Sequence, residues 1–239
     1  MDQLIQILDL FRQIKQSGET LKFMNLYKGV SITYEGSIVE ISENALRCQV
    51  PKYQVLCMQM EGLTYIQATI LPEVVRAKIF SADPLAEQVV LTGFEYVGGT
   101  IGNRMQIRVQ PKEPVKVLLQ NKLGVQTELI ELSLYGLSVY ISPSQFDWRL
   151  YRRDAKVNVE FHLPEPQTGK LQSIRLTGII KYVSVNKSLR YIRLGIFTNP
   201  DANTEAFLSK YIAYRQADIL KEIKAALQAQ FTKNTPNNS

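Results

Sequence analysis

Along most of this chain, apolar residues alternate with polar ones in short runs, and turn residues separate the runs. Val30, Ile32 and Tyr34 alternate with Ser31 and Thr33 before Glu35-Gly36 turns the chain. Leu46, Cys48 and Val50 alternate with Arg47 and Gln49, and further runs cover 65–71, 74–80 and 88–96. A period of two sends successive side chains to opposite faces, so each run reads as a half-buried β-strand. After Gly98-Gly99-Thr100-Ile101-Gly102-Asn103 the pattern restarts, at 115–119, 125–132, 137–141, 157–161, 174–183 and 191–197. Many short strands at this spacing close into small barrels. The fold class expected is mainly β: two small antiparallel β-barrels in tandem, with an N-terminal α-helix and a long C-terminal one.

The helices are marked by a different period. Leu4, Ile7, Leu8, Phe11 and Ile14 recur at helical spacing until Ser17-Gly18, with Asp2 placed to cap the start. One apolar stripe on a short helix needs a partner surface, so it is expected across a barrel mouth or on a second subunit. From about Asn203 to Phe231, Phe207, Leu208, Tyr211, Ile212, Ile219, Leu220, Ile223 and Leu227 form the second apolar face. Barrel packing or a homodimer seam would each use it. The expected domains are 1–97, a linker at 98–103, and 104–239.

An internal echo relates the two halves. Residues 38–51 read IVEISENALRCQVP and 129–143 read LIELSLYGLSVYISP, so Glu40, Ser42 and Leu46 align with Glu131, Ser133 and Leu137. Either two amphipathic hairpins share a pattern by chance, or two related barrels exist of which one has lost a site. The turn position is Ala45 in the first copy and Gly136 in the second, and no arginine pair precedes the first copy.

Composition narrows the function classes. Only Cys48 and Cys57 are present, which gives no disulfide framework and favours a cytoplasmic compartment. No apolar run reaches the roughly 20 residues of a membrane span, and the N-terminus lacks the pattern of a signal peptide. The net charge of +6 favours anionic partners. DNA is disfavoured among them, since no helix-turn-helix or basic recognition helix is seen. His162 is the single histidine and reads as structural; with two separated cysteines it makes no metal site and no catalytic triad, so neither an enzyme nor a bound cofactor is expected. Trp148 and Tyr151, among Arg149, Arg152 and Arg153, form either a solvated loop or a patch for a partner.

Two motifs carry chemistry. Arg104-Met-Gln-Ile-Arg108 follows the glycine-rich stretch, and Glu131-Leu-Ser133-Leu-Tyr-Gly136 occupies a strand junction. On an extended chain residues 104 and 108 share parity, so their guanidinium groups leave on one side. Two such forks suit phosphodiester oxygens and also match the O6/N7 edge of guanine. A carboxylate and a hydroxyl nearby can accept the guanine N–H groups, and a glycine permits a tight turn or close approach.

In order and separation the pair resembles the signature of the PilZ family, Arg-x-x-x-Arg followed by Asp/Asn-x-Ser-x-x-Gly. The resemblance runs from about Asn103 through the C-terminal helix and includes Gly136-Leu-Ser-Val-Tyr-Ile141, Leu176–Val183 and Arg193-Leu-Gly-Ile-Phe197. It implies a six-stranded barrel that binds cyclic di-GMP. Arg104 and Arg108 would hold phosphates and guanine edges, while Glu131, Ser133 and Gly136 would contact the base. The first half looks like the accessory barrel of flagellar-brake-type members. Two positions depart from the family: Glu131 stands where Asp or Asn is preferred, and Asn103 stands where many members carry another arginine. The implied function is a receptor that shifts its inter-domain arrangement and signals to a downstream protein of motility, adhesion or exopolysaccharide production. The alternative is a PilZ-like interaction module that no longer binds nucleotide.

Overall fold

The structure, a computed structural model, describes residues 3–98, 107–121, 124–186 and 191–234. The chain forms two compact units, residues 1–105 with 219–239, and residues 106–218. Each contains one closed six-stranded antiparallel barrel, as the alternation requires.

The first unit opens with helix α1 (Gln3–Ser17), whose Ile7, Leu8, Phe11 and Ile14 are buried at the expected spacing. The helix ends where Gly18 takes φ +72, a left-handed conformation that glycine adopts without Cβ strain. Its partner is the barrel itself: Phe11 meets Phe94 edge-on at 5.4 Å, and the stripe joins the barrel core around Phe23, Leu46 and Leu91. The strands are β1 (Leu21–Tyr27), β2 (Val30–Ile41), β3 (Ala45–Gln49), β4 (Leu63–Gln67), β5 (Val75–Asp83) and β6 (Gln88–Tyr96), closed in the order β1-β2-β3-β6-β5-β4.

Two elements here were not legible from periodicity. Strand β1 buries Asn25 among its apolar residues, which breaks the alternation. The Asn25 amide donates to the Leu63 carbonyl at 2.7 Å, while its Oδ1 accepts from Gln54 at 2.8 Å and Thr64 at 2.9 Å. Helix α2 (Lys52–Glu61) connects β3 to β4 and buries every residue from Gln54 to Met58. A helix covered over so much of its surface shows no amphipathic stripe. Gly62 caps it at φ 69, donating its N–H to the Met58 carbonyl at 2.9 Å. The run read as a strand at 65–71 is strand only as far as Gln67.

The second unit contains β7 (Lys116–Gln120), β8 (Gly124–Ser133), β9 (Gly136–Ile141), β10 (Lys156–Pro164), β11 (Leu171–Asn186) and β12 (Tyr191–Thr198). They close in the order β7-β8-β9-β12-β11-β10. The permutation matches the first barrel strand for strand. Strand β10 shows why the sequence reads so plainly: Val157, Val159, Phe161 and Leu163 face inward at 0–1% exposure, while Lys156, Asn158, His162 and Pro164 face solvent. His162 pairs with Ser173 on β11 as an ordinary strand position. Helix α3 (Ala202–Asn234) contributes Phe207, Leu208, Tyr211 and Ile212 as buried residues of this unit. From Ile219 its residues belong to the first unit, where Lys28 and Glu222 form an ion pair.

Candidate ligand-binding site

The β8–β9 hairpin sets the geometry. Ser133 pairs with Gly136 across the turn, and the Ser133 hydroxyl donates to the Gly136 carbonyl at 3.0 Å. A Cβ at Gly136 would stand 2.9 Å from the Ile196 carbonyl oxygen of β12. Glycine is needed here for close strand approach. A register shift between Leu129 and Glu131 re-aims the chain, and Glu131 emerges as a carboxylate whose side chain is 11% exposed. Bulges serve this purpose elsewhere: one extra residue redirects a side chain.

Arg108 reaches that carboxylate because the next residue is pinned. Val109 and Leu132 exchange two backbone hydrogen bonds, both 2.9 Å, which fixes the segment alongside β8. One residue further, the Gln110 carbonyl accepts from Nε of the buried Arg215 of α3 at 2.9 Å. Arg108 Nη1 then lies 3.5 Å from Glu131 Oε2. Asn103 and Arg104, the other two residues expected at the site, lie outside the described residues. The structure thus gathers Arg108, Glu131, Ser133 and Gly136.

A second arginine completes the cluster, and the sequence reading did not single it out. Arg193 of β12 donates to Glu131 Oε2 at 2.8 Å and to the Ser138 hydroxyl at 3.0 Å. Its Nε is buried and has no hydrogen-bond partner among the described residues. Strand register explains the meeting, because Tyr140 of β9 pairs with Arg193 and Glu131 pairs with Ser138. The available signal was parity: in Tyr191-Ile-Arg193-Leu-Gly195 the polar positions share the outer face with Ser138 and Tyr140.

Around Arg193 the outer wall combines small residues with aromatic rings. Ser138 pairs with Gly195, and a Cβ at Gly195 would fall 1.9 Å from the Tyr182 ring, so that ring lies directly over the glycine. The Arg193 guanidinium stands 5.9 Å from the Tyr182 centroid, a cation–π distance. Tyr140 and Tyr191 pack with centroids 4.1 Å apart. Burial, reinforced by the hydrogen bond and charge of Tyr191, pushes the Tyr140 phenol up to about 12. Chemically, this wall offers guanidinium forks for anionic oxygens or a guanine edge, a carboxylate for N–H donors, and flat surfaces for a base. Among the described residues no three His, Cys, Asp or Glu converge as a metal site. No described helix is long and apolar enough to cross a membrane.

The chain is similar to several solved structures. MrkH of K. pneumonia in complex with c-di-GMP is 12% identical, with 93% of this chain and 96% of that chain covered at a TM-score of 0.46. YcgR from Escherichia coli in complex with c-di-GMP is 14% identical, with 93% and 94% covered at 0.43. The inhibitor of motility MotI/DgrA of Bacillus subtilis is 12% identical, with 83% and 96% covered at 0.44. An uncharacterised protein of Aquifex aeolicus is 24% identical over 164 residues, 68% of this chain and 73% of that protein. No family model matches the sequence.

Proposed function

We propose that this chain is a cyclic-di-GMP receptor rather than an enzyme, with the nucleotide held against the outer wall of β8, β9 and β12. The observation that carries the reading is the convergence of Arg108 and Arg193 on Glu131, beside Ser133 and Gly136. Arg108, Glu131, Ser133 and Gly136 belong to the two motifs that gave the resemblance, Arg193 adds a guanidinium from outside them, and Val109, next to Arg108, is hydrogen-bonded to Leu132 of the second motif. In this reading Arg104 joins Arg108 on the phosphates, Arg193 offers its guanidinium to a base, and Glu131 accepts guanine N–H groups. A ligand that grips residues 104 and 108 as well as the barrel orders the segment joining the halves. It thereby changes their arrangement, and the output is an altered surface for a cytoplasmic partner in motility, adhesion or exopolysaccharide production.

Titration calorimetry with cyclic di-GMP is the test. Binding in the micromolar range, roughly −8 kcal/mol, is expected, with loss in Arg108→Ala. Absence of heat at high protein concentration overturns the reading.

One observation favours a second reading. Glu131 already occupies both guanidinium groups through a single oxygen. With the longer carboxylate as a built-in counter-ion, the wall can be a ligand-free interaction module. That reading expects a constitutive partner and no thermal shift with any guanine dinucleotide.

A further inference from the structure

The net charge of +6 is unevenly placed. Residues 106–218 hold 16 Lys and Arg against 10 Asp and Glu, whereas the rest of the chain balances at 12 against 12. Three arginines stand close together in the connection from β9 to β10, with Lys156 next to them at the start of β10. Arg149, Arg152, Arg153 and Lys156 line a groove of about 710 Å³, with Asn121 and Asn158 adding amides. Asp154 is the acidic residue in that lining, and it is engaged by Arg153 at 3.8 Å and Lys181 at 3.3 Å. Among the described residues, no carboxylate pairs with Arg149, Arg152 or Lys156.

The loop presenting these cations is firmly built. Tyr151 is fully buried and its ring stacks on Phe146 at 5.9 Å. The Tyr151 N–H donates to the Asp147 carbonyl at 2.9 Å, and the Leu150 carbonyl accepts from Asn121 at 3.1 Å. Asp154 and Ala155 exchange backbone hydrogen bonds with Ile180 of β11, at 2.7 and 3.0 Å. Beside the cations Trp148, 58% exposed, stands edge-on to Phe146 at 4.7 Å. The groove lies on the wall of β7, β10 and β11, so in the closed order it faces away from β9 and β12.

We propose that this groove docks an acidic segment of a protein partner, with Trp148 as the apolar anchor. Unpaired guanidinium groups supply the charge complementarity, and arginine with tryptophan is the composition of binding hot spots. Preorganisation by the buried Tyr151 lowers the ordering cost of binding. Single-stranded nucleic acid fits less well. It needs cations strung along a track with several stacking rings, whereas these cations surround one concavity beside one exposed ring. The inference does not rest on the nucleotide reading.

Trp148 is the only tryptophan, so intrinsic fluorescence of the full chain reports on this surface directly. The probes are a short oligoglutamate peptide ending in leucine and an oligothymidylate of equal charge. A saturable emission change with the peptide is expected, weakening about tenfold as salt shortens the screening length from about 30 Å at 0.01 M to about 8 Å at 0.15 M. Arg149→Glu with Arg152→Glu should remove it, and the milder Arg149→Gln with Arg152→Gln should weaken it, each with unchanged circular dichroism. A flat titration, tighter binding of the oligothymidylate, or full binding by the folded charge-reversed variant would each overturn the proposal.

Discussion

The two barrels share one permutation of strands and differ in what their outer walls carry. Positions 38–49 and 129–140 superpose in register as well as in sequence: each has a shift two residues before its serine, between Ile38 and Glu40 or between Leu129 and Glu131, and each pairs the next positions alike, Ile41 with Leu46 and Leu132 with Leu137. Such agreement is what a duplicated hairpin would leave. At equivalent places the side chains diverge. Glu40 is 58% exposed and meets Arg47 on the surface at 3.3 Å, whereas Glu131 is 11% exposed between two arginines. Where the second barrel has Arg193 and Gly195, the pairing of β3 with β6 places Gln88 and Val90. One fold therefore carries two different walls, and the difference lies in a few outward-facing positions.

The largest expected contrast is in nucleotide binding. Replacing Arg108 and Arg193 together with Ala should weaken cyclic di-GMP by at least about 100-fold, since each charge-assisted hydrogen bond contributes about 1.5–3 kcal/mol. Arg47→Ala with Gln88→Ala, at the counterpart region of the first barrel, should leave the calorimetric isotherm unchanged. An equal loss in both pairs would remove the distinction between the walls.

Next come the cores. Phe23→Ala and Phe161→Ala, both at buried positions, should each cost about 3–5 kcal/mol. The chain carries its own reporters, because both cysteines lie in the first barrel unit and the tryptophan lies in the second. Burial pushes the Cys57 thiol up to about 12 and the Cys48 thiol up as well, so neither reacts until its surroundings open. Denaturation followed by thiol labelling should move with Phe23→Ala, and denaturation followed by fluorescence should move with Phe161→Ala. Coincident shifts in both signals for both variants would make the units one cooperative body.

A smaller effect separates the hairpin turns. Gly136→Ala forces a Cβ toward the Ile196 carbonyl and should destabilise by about 1–3 kcal/mol. Ala45→Gly should cost only about 0.5–1 kcal/mol, through backbone entropy. Thermal melts of the two variants check the order.

The least effect is in alkali. Tyr140 holds its proton up to about 12, against an ordinary phenol value of 10.0. The folded state binds that proton more tightly than the unfolded one, so the contribution is complete below pH 10 and fades as pH rises toward 12. Tyr140→Phe should flatten that alkaline limb; an unaltered limb would assign it to other groups.

How much of this was legible follows from how each feature is encoded. The barrels announced themselves because strands such as β10 bury every second side chain. Helix α2 and strand β1 stayed hidden for opposite reasons: the helix is covered over most of its surface, and the strand places the polar Asn25 inside, satisfied by Gln54 and Thr64. Glu131, Ser133 and Gly136 could be found because their spacing is local. For Arg193 parity gives only the outer face, since its place beside Glu131 depends on β12 lying next to β9, a pairing across more than fifty residues. The anchoring of Gln110 by Arg215 is equally remote in sequence.

Both sheets are closed, and that has an evolutionary consequence. A closed sheet has no free edge for another chain to extend, so neither barrel can recruit a neighbour by adding a strand. Recognition must be written in side chains and connecting loops. New specificities can then arise by exchanging the β9–β10 connection or a handful of outward positions, while the hydrogen-bonded cylinder beneath is inherited intact.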